Sequence, residues 1–498
     1  IYDRAVRGEI VLCMVGGYSG IGKSALVRAM RAHVIADAGS LIEGKFDQYH
    51  RETPYSALIE AFKSLLRQVL AGTRHDVEAW RAKVEATLGE NASVVIDVLP
   101  ELQRLIGAKP PAPVLGGSAA QQRFNAVFSQ LLKLFASREH PLVMFLDDLQ
   151  WADFASLALI KTFVREGEGA HLLMVGAYRD NEVNSAHPMV HMLEDLRHGG
   201  AQIVELQLGP LHQAHITELI RDTCKQIEDA PGLAHLVMRK TEGNPFFARQ
   251  FLRNMVGQRE LYFDLAAATW RWHQGSMRLQ DAADNVVDLM MHQLAGFGPE
   301  PREAMKIGAC IGKRFELGLL AEVAGIADGL ALQALAPALQ DELLIPVDEQ
   351  PGVREFQFVH DRVQQAAHAL DVGPALDALH LAVGMSIWRR TAAGEIDGAV
   401  FSIVDQINHA LPLLAPEQQA DVAALNLKAG LRARGSMAYR AASTYFETGI
   451  GLLPAEAWQT AYRLSYELHL NLADVYSVLN AEAPFQETIA ALLAEVCA

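Results

Sequence analysis

Residues 9–30 read EIVLCMVGGYSGIGKSALVRAM, and this stretch decides the fold. The apolar run from Ile10 to Val15 predicts a buried strand, and the residues from Ser24 onward predict a helix. Between them, Gly17-x4-Gly22-Lys23-Ser24 has the spacing of a phosphate-binding loop. Glycines let the backbone curl so that several N–H groups point at one anion, beside the positive end of the helix. The stretch therefore predicts a nucleotide-binding α/β domain.

The phosphate loop supplies most of the candidate site residues. Lys23 is expected to reach the β- and γ-phosphates, and the Ser24 hydroxyl to ligate Mg²⁺. The residues predicted to bind the nucleotide here are Gly17, Gly20, Gly22, Lys23, Ser24 and Ala25. The predicted cofactors are ATP or ADP together with Mg²⁺.

A second motif, LVMFLDDLQWAD at residues 142–153, takes an apolar strand directly into two carboxylates. Adjacent carboxylates repel each other unless a cation shares them. Asp147 is expected to hold Mg²⁺, and Asp148 to orient or deprotonate an attacking water. Asp148 could instead cap a helix or bond the loop, and the sequence leaves this alternative open.

Other apolar runs predict the rest of a five-stranded parallel sheet covered by helices on both faces. These runs are residues 40–49, 170–180 and 202–211. Apolar residues recur with a helical period at 55–70 and at 119–136.

Arg179 ends the fourth predicted strand, beside the strand of Asp147 in the usual order of such sheets. In that place it could contact the γ-phosphate and report whether this group is present. A surface salt bridge to Asp180 or Glu182 is the alternative.

Three stretches, GGYSGIGKSALV, FLDDLQWADFASL and GAYRDNEV, together resemble the STAND-type AAA-like ATPase module. The resemblance continues through TEGNPFF and FVHDRVQQAA. Such modules occur in bacterial multidomain sensor and serine/threonine kinases and in large transcriptional regulators. The resemblance implies an ASCE/AAA-like α/β P-loop NTPase core that uses ATP/ADP exchange as a conformational switch. It implies five segments: a P-loop NTPase core at 1–211, a helical lid at 212–258, a β-hairpin linker at 259–284, a winged-helix domain at 285–371 and helical TPR-like repeats at 372–498.

The resemblance also suggests roles for Pro245 and His360. In relatives the proline of a Gly-x-Pro turn lies against the nucleotide base or sugar, and Pro245 in GNPFF holds that position, although it would also begin a helix. His360 would contact the ADP β-phosphate and latch the winged helix onto the ADP-bound core, with Asp361 capping the next helix. An ordinary histidine at a strand–helix junction is the alternative.

The segments after the core raise the question of nucleic-acid binding. Residues 260–275 alternate like a hairpin rich in aromatic side chains, for which packing is favoured over base stacking. The winged-helix elements are predicted as helices at 286–297, 300–311, 317–324 and 328–341 and strands at 343–347 and 354–359. Acidic residues between 300 and 342 outweigh the few lysines and arginines there. The winged helix is therefore interpreted as structural, and DNA as an unfavoured partner.

The tail from about residue 373 is predicted to be wholly helical. Residues 423–454 have small side chains where helices would cross and a proline at the end, and they resemble a tetratricopeptide-type hairpin. Such arrays usually bind a peptide or another domain on their concave face. The predicted partner is a protein or the chain's own output domain, and the array is expected to be truncated.

The bulk composition limits the functional classes. A net charge of −16 argues against a broad nucleic-acid surface, and no apolar run reaches the roughly 18–20 residues that span a bilayer. The four cysteines are far apart, which is typical of buried reduced thiols in a cytoplasmic protein. The chain opens on Ile1 rather than methionine, and we expect a piece of a longer protein.

Together these features predict an ATP/ADP-dependent signal-transduction switch with slow Mg²⁺-dependent ATP hydrolysis through Lys23, Ser24, Asp147 and Asp148. It would regulate an output domain outside this chain and could self-associate in its ATP form. Two alternatives stay open. One is a DNA-associated AAA-type ATPase that grips duplex with its winged helix, and the other is a scaffold that nucleotide stabilises without turnover.

Overall fold

A computed structural model describes residues 1–47, 53–113, 117–166, 169–184, 187–273, 294, 296–347, 354–370, 373–454 and 456–496. The chain divides into two compact units. The first unit consists of Ile1–Val15, Leu26–Leu206 and His380–Ala498, and the second of Gly16–Ala25 and Gln207–Leu379.

A five-stranded sheet with the order β2-β3-β4-β1-β5 is the centre of the first unit. The strands are β1 (Ile10–Gly16), β2 (Ser40–Lys45), β3 (Leu142–Asp147), β4 (Leu172–Tyr178) and β5 (Ile203–Gln207). The pairs β2–β3 and β3–β4 run parallel. The predicted five-stranded parallel sheet of an α/β domain is thereby confirmed, including the place of the Arg179 strand beside the Asp147 strand.

The inner strands are almost entirely buried, whereas β5 at the edge is half-exposed or exposed. Inner strands of a parallel sheet are covered on both faces, which explains their unbroken apolar runs. Strands β2, β4 and β5 are shorter than the predicted runs at 40–49, 170–180 and 202–211, whereas β1 extends one residue beyond its run.

Helices before and between the strands cover the sheet. They are α1 (Tyr2–Val6), α2 (Lys23–Ala29), α3 (Arg31–Ala36), α4 (Ser56–Leu70), α5 (Arg74–Leu88), α6 (Ala92–Ile96), α7 (Gln103–Ile106), α8 (Gly117–Phe135), α9 (Phe154–Glu166) and α10 (Pro188–His198). The helices predicted at 55–70 and 119–136 correspond to α4 and α8. Their apolar faces meet in the main core, where the rings of Phe62 and Phe128 lie 6.1 Å apart.

The C-terminal part of the first unit is helical, as predicted. Its helices are α18 (Pro374–Arg390, whose first residues belong to the second unit), α19 (Ile396–Asn408), α20 (Pro416–Gly435), α21 (Tyr439–Leu452), α22 (Ala457–Thr460), α23 (Tyr462–Val478) and α24 (Glu482–Val496). Neighbouring long helices pack against each other, and a Cβ on Gly430 would lie 2.3 Å from the Phe446 ring. Small residues therefore do stand where helices cross, which is consistent with tetratricopeptide-like repeats.

The second unit begins with a small helical cluster and a hairpin. The helices are α11 (Gln213–Thr223), α12 (Ala230–Thr241) and α13 (Pro245–Gly257), and the antiparallel strands are β6 (Leu261–Asp264) and β7 (Thr269–Trp272). Trp270 and Trp272 pack against the apolar core of these helices. The two tryptophans of the hairpin thus pack against neighbouring side chains, as the sequence favours.

The rest of the second unit combines helices with a three-stranded antiparallel sheet of order β8-β10-β9. The elements are α14 (Pro299–Ile311), β8 (Arg314–Glu316), α15 (Leu317–Ala324), α16 (Asp328–Gln340), β9 (Leu344–Val347), β10 (Glu355–Phe358) and α17 (Asp361–His368). Strand β8 was not predicted, because three residues with one apolar side chain give no periodic signal. The predicted helix 286–297 lies largely outside the described residues, and the winged-helix assignment stays a prediction.

Two sequence-wide expectations concern thiols and membrane spans. Cys13, Cys224 and Cys310 are buried thiols outside any disulfide, as predicted, while Cys497 lies outside the described residues. In the part of the chain that the structure describes, no single helix has the length and apolarity to cross a bilayer. One pair, Leu317–Ala324 with Asp328–Gln340, meets these criteria only together and is bent by 106°.

Candidate functional site

The phosphate loop lies in the second unit and is shaped by its glycines. Gly17, Gly20 and Gly22 have φ angles of +149°, +80° and +104°, which side chains on L-residues rarely allow. A Cβ on Gly17 would lie 2.7 Å from the carbonyl oxygen of Leu208, so no larger residue fits there. A Cβ on Gly22 would meet no atom within 4 Å, so this part of the loop faces open space. The open loop fits an anion on its inner side.

Lys23 begins the helix that follows this loop, and only 7% of its surface is exposed. Its Nζ donates hydrogen bonds to the carbonyl oxygens of Gly17 (2.7 Å) and Tyr18 (3.0 Å). The ammonium group is thus folded over the loop that it is predicted to serve. Ser24 is half-buried and Ala25 exposed in the first turn of the same helix. The loop, the cation and the helix N-terminus together fit the phosphates of a nucleotide.

Asn244 holds the phosphate loop in place, and the sequence analysis did not identify it. Its Nδ2 donates a hydrogen bond of 2.8 Å to the carbonyl oxygen of Ser19. Its Oδ1 accepts from the backbone N–H of Phe246 (3.1 Å), so the same side chain caps α13. Pro245 is the first residue of that helix, as its alternative reading stated. An asparagine directly before a helix-start proline is the signal that could have revealed this cap.

His360 lies in the same unit and contacts the residue after Pro245. Its ring stacks on Phe246 with 4.1 Å between the ring centroids. Its Nδ1 accepts a hydrogen bond from the backbone N–H of Arg362 (3.1 Å), which makes His360 the N-cap of α17. The expectation that Asp361 caps this helix is wrong, because Asp361 is already the first helical residue and lies 4.0 Å from Lys313.

The acidic pair lies in the first unit, at the end of β3. Asp148 has a left-handed backbone conformation with φ of +54° and is almost fully buried. Its carboxylate pairs with Nζ of Lys45 (2.8 Å) and Nε of Arg179 (3.2 Å) and accepts from Nε2 of Gln150 (2.9 Å). The carboxylate does not cap the short helix that follows. Asp148 therefore bonds within its loop rather than capping a helix, and its role toward an attacking water stays a prediction.

Asp147 and Lys45 are neighbours across the sheet. Asp147 is half-buried, and its Oδ1 accepts from the backbone N–H of Asp148 (3.0 Å). Lys45, at the end of β2, is its register partner. Sequence reasoning missed Lys45 because the partner of an edge residue depends on strand order, which lies beyond any local pattern.

Arg179 is the most thoroughly buried charged residue of this cluster, with 1% of its surface exposed. Besides Asp148 it pairs with Glu182 (2.8 Å), and its guanidinium lies 4.4 Å from the ring centroid of Trp151. The salt bridge to Glu182 is thus present, with its guanidinium end buried and 30% of the Glu182 side chain exposed. The indole of Trp151 donates to the other oxygen of Glu182 (3.0 Å), which closes the network.

The parallel sheet and the glycine-rich loop after β1 define an α/β P-loop NTPase. More particularly, residues 1–175 match the family model described as AAA ATPase domain. The predicted AAA-like P-loop module is thereby confirmed over this part of the chain.

Comparisons with whole proteins give distant similarities. The chain is 23% identical to hybrid signal transduction histidine kinase G of Dictyostelium discoideum, covering 94% of this chain and 17% of that protein. It is 25% identical to histidine protein kinase 1 of Candida albicans, over 32% of this chain and 7% of the relative. The chain thus spans less than a fifth of the curated relatives it matches. A solved STAND protein with a tetratricopeptide repeat sensor from Pyrococcus horikoshii superposes with a TM-score of 0.45 and 13% identity, covering 99% of this chain and 63% of that one.

Proposed function

We propose that this chain is an ATP/ADP-dependent signalling switch that hydrolyses ATP slowly with Mg²⁺ and regulates an output domain outside these residues. The observation that carries the proposal is a continuous series of contacts within the second unit. Ser19 of the phosphate loop contacts Asn244, and Gly20 accepts a hydrogen bond of 3.3 Å from the N–H of Phe246. Phe246 in turn stacks on His360. A change in the phosphate loop would therefore reach the helix that His360 caps.

The nucleotide would be held by Gly17, Gly20, Gly22, Lys23, Ser24 and Ala25, with Pro245 against its base or sugar and His360 near the ADP β-phosphate. Ser24 and Asp147 would ligate Mg²⁺, which when bound neutralises phosphate charge. Arg179 would contact the γ-phosphate only by exchanging one of its present partners, so we assign this role to the ATP form alone.

The proposed switch depends on thermodynamic linkage between nucleotide binding and conformation. A nucleotide shifts a conformational equilibrium only by its different affinity for the two states. We propose that ADP favours a closed form through His360 and that ATP favours an open form able to self-associate. The helical repeats would bind a protein partner or the output domain. We place the protein in the cytoplasm, and its winged helix would be structural rather than DNA-binding.

The output is proposed from the relatives. The Dictyostelium protein that covers most of this chain is described as a signal transduction histidine kinase. We infer that the domain under control belongs to a phosphotransfer signalling protein. The family resemblance of the sequence is compatible with a serine/threonine kinase in the same place.

A second candidate is a scaffold that nucleotide stabilises without turnover. Asp148 supports this candidate, because its carboxylate already forms ion pairs with Lys45 and Arg179 and a hydrogen bond with Gln150. A carboxylate with three partners is poorly placed to accept a proton from water. Slow turnover fits the switch, and no turnover at all fits the scaffold.

The deciding experiment is to identify and quantify the nucleotide released when the freshly purified chain is denatured. About one ADP per chain supports the switch. A chain without nucleotide that turns over ATP rapidly contradicts it, and a chain that binds none contradicts both candidates. The Lys23→Ala variant should lose binding, whereas Lys161→Ala, which removes a surface lysine paired with Asp195, should keep it.

A further inference from the structure

A cavity of about 570 Å³ lies within the first unit. One wall is the segment that directly follows Asp148, from Gln150 to Ala155, and another is the start of α21. Pockets for small ligands usually measure about 300–1,000 Å³ and are lined mainly by apolar and aromatic side chains with a few polar groups. The size and place of this cavity therefore suit a small molecule.

The cavity exists because small side chains line it. Trp151, Phe154 and Met437 supply larger apolar surfaces, and half of the Phe154 side chain is exposed. Around them stand five alanines: Ala152, Ala155, Ala158, Ala438 and Ala441. Aromatic walls with little steric crowding favour a flat apolar group.

The polar lining favours an anion at one end. Arg440 lies with its guanidinium carbon 4.1 Å from the centroid of the Phe154 ring. No carboxylate of the described residues pairs with Arg440. Across the cavity, Asn125 uses its Oδ1 to accept from Gln121 (3.0 Å), which leaves its amide N–H groups for an acceptor. The Tyr439 hydroxyl donates to Sδ of Met437 (3.1 Å), and burial raises its pKa.

Asp153, the acidic residue of the lining, does not prevent an anion from binding in the cavity. Asp153 accepts from the backbone N–H groups of Ser156 (2.9 Å) and Tyr55 (3.3 Å) and from the Ser156 hydroxyl. These bonds hold its carboxylate against the start of α9. Burial raises the pKa of Asp153 despite these donors, which disfavours a negative charge on this carboxyl.

We propose that this cavity is an effector site for a small aromatic carboxylate. The ring would lie against Trp151 and Met437, and the carboxylate would pair with Arg440. Gln150 connects the site to the acidic pair, since its Nε2 donates to Asp148 and its Oε1 accepts from the backbone N–H of Arg179 (3.1 Å). Occupation of the cavity would therefore alter the surroundings of Asp148, a consequence that rests on the proposed function.

The site can be tested without nucleotide. Titration calorimetry measures the binding of benzoate, phenylacetate and indole-3-acetate to the purified chain. The neutral amide of each acid is measured for comparison. We expect at least one acid to bind, and its amide to bind roughly tenfold more weakly because a charged hydrogen bond is lost. Failure of all three acids to bind at millimolar concentration overturns the proposal.

Two variants locate the binding. Arg440→Gln should weaken binding of the acid by about tenfold, so that the acid no longer binds more tightly than its amide. Arg463→Gln is the control and should leave both affinities unchanged, because Arg463 lies on α23 and pairs with Glu467. Ala158 occupies an exposed helical position that lines the cavity, so Ala158→Leu should weaken the binding of the acid and of its amide to the same extent. Equal binding of the acid to the parent chain and to Arg440→Gln overturns the assignment.

The effector role has its own readout. ATP hydrolysis is followed with the bound acid at saturation, in the parent chain and in Arg440→Gln. A change in rate confined to the parent supports the role, and an unchanged rate in both overturns it. A chain that binds the acid but no nucleotide would contradict the proposed switch and leave the site itself standing.

Discussion

Nδ2 of Asn244 donates a hydrogen bond of 2.8 Å to the carbonyl oxygen of Ser19, across 225 positions of the chain. One side chain thus caps α13 and holds the phosphate loop. Both partners are buried, so the bond is sheltered from competing water. The loop is therefore positioned from outside its own motif.

Asn244→Ala should weaken ADP binding by about tenfold and lower the free energy of unfolding by about 1–3 kcal/mol, because a cap and a buried hydrogen bond are lost together. Nucleotide titration and urea denaturation measure the two effects. Asn244→Ser is the matched control, since serine still caps the helix but is too short to reach Ser19. If Asn244→Ser bound ADP as tightly as the parent, the hold on the loop would have no part in binding.

The buried cluster around Asp148 predicts an order of stabilities. Arg179→Met should lower the free energy of unfolding by about 3–5 kcal/mol, because it removes the most deeply buried cation beside Asp148 and leaves that buried carboxylate with Lys45 as its ion-pair partner. Lys45→Met should cost less, about 1–3 kcal/mol, since Lys45 has 18% of its side chain exposed and Arg179 remains in place. Urea denaturation of both variants checks this order. A larger loss for Lys45→Met than for Arg179→Met would contradict the network as described.

The contact between Phe246 and His360 predicts faster loss of ADP when the imidazole is removed. His360→Ala should release ADP about tenfold faster, which corresponds to a loss of roughly 1.4 kcal/mol of binding free energy. Stopped-flow release of a fluorescent ADP analogue gives the rate. His360→Asn separates the two roles of this residue, because asparagine still caps α17 but cannot stack on Phe246. Unchanged release from both variants would remove His360 from the mechanism.

Cys310 predicts a loss of stability at alkaline pH. Burial raises the pKa of its thiol to about 12, above the value of about 8.5 in the unfolded chain. Its contribution is complete below pH 8.5 and falls as the pH rises toward 12, because only the unfolded chain gives up the proton. Between pH 8.5 and 10 the free energy of unfolding should fall by about 1–2 kcal/mol from this group.

The measurement is urea denaturation at pH 8 and pH 10 of the parent chain and of Cys310→Ala. The cavity left by the substitution affects both pH values alike, so the difference between them isolates the thiol. An identical pH dependence in the two proteins would show that Cys310 titrates normally. Thiol reagents should likewise label Cys310 slowly in the native chain at pH 8 and rapidly after denaturation.

Much of the fold could be predicted from local patterns. The run from Ile10 to Val15 and the glycines after it form a strand and a phosphate loop in the structure. Helical periodicity located Ser56–Leu70 and Gly117–Phe135 to within two residues. These signals are local, since a strand or a helix buries side chains at a fixed spacing along its own chain.

The candidate site was predicted less completely. The sequence identified Lys23, Asp147, Asp148 and Arg179 as residues of interest but not the partners that hold them. Gln150 and Asn244 stand within quoted motifs and Lys45 lies within a predicted strand, but the importance of all three comes from what they contact. The roles of Pro245 and His360 toward a nucleotide stay predictions.

The sequence by itself determined the nucleotide-binding class, because glycine spacing and an apolar strand limit the backbone to few conformations. Only the tertiary structure decided that Lys45 and Arg179 share Asp148, and that Asn244 reaches Ser19. The physical reason is that such pairs depend on strand order and helix packing, which join residues far apart in the chain. A charge or an amide in a sequence shows that a partner is needed, and the folded core selects which partner it has.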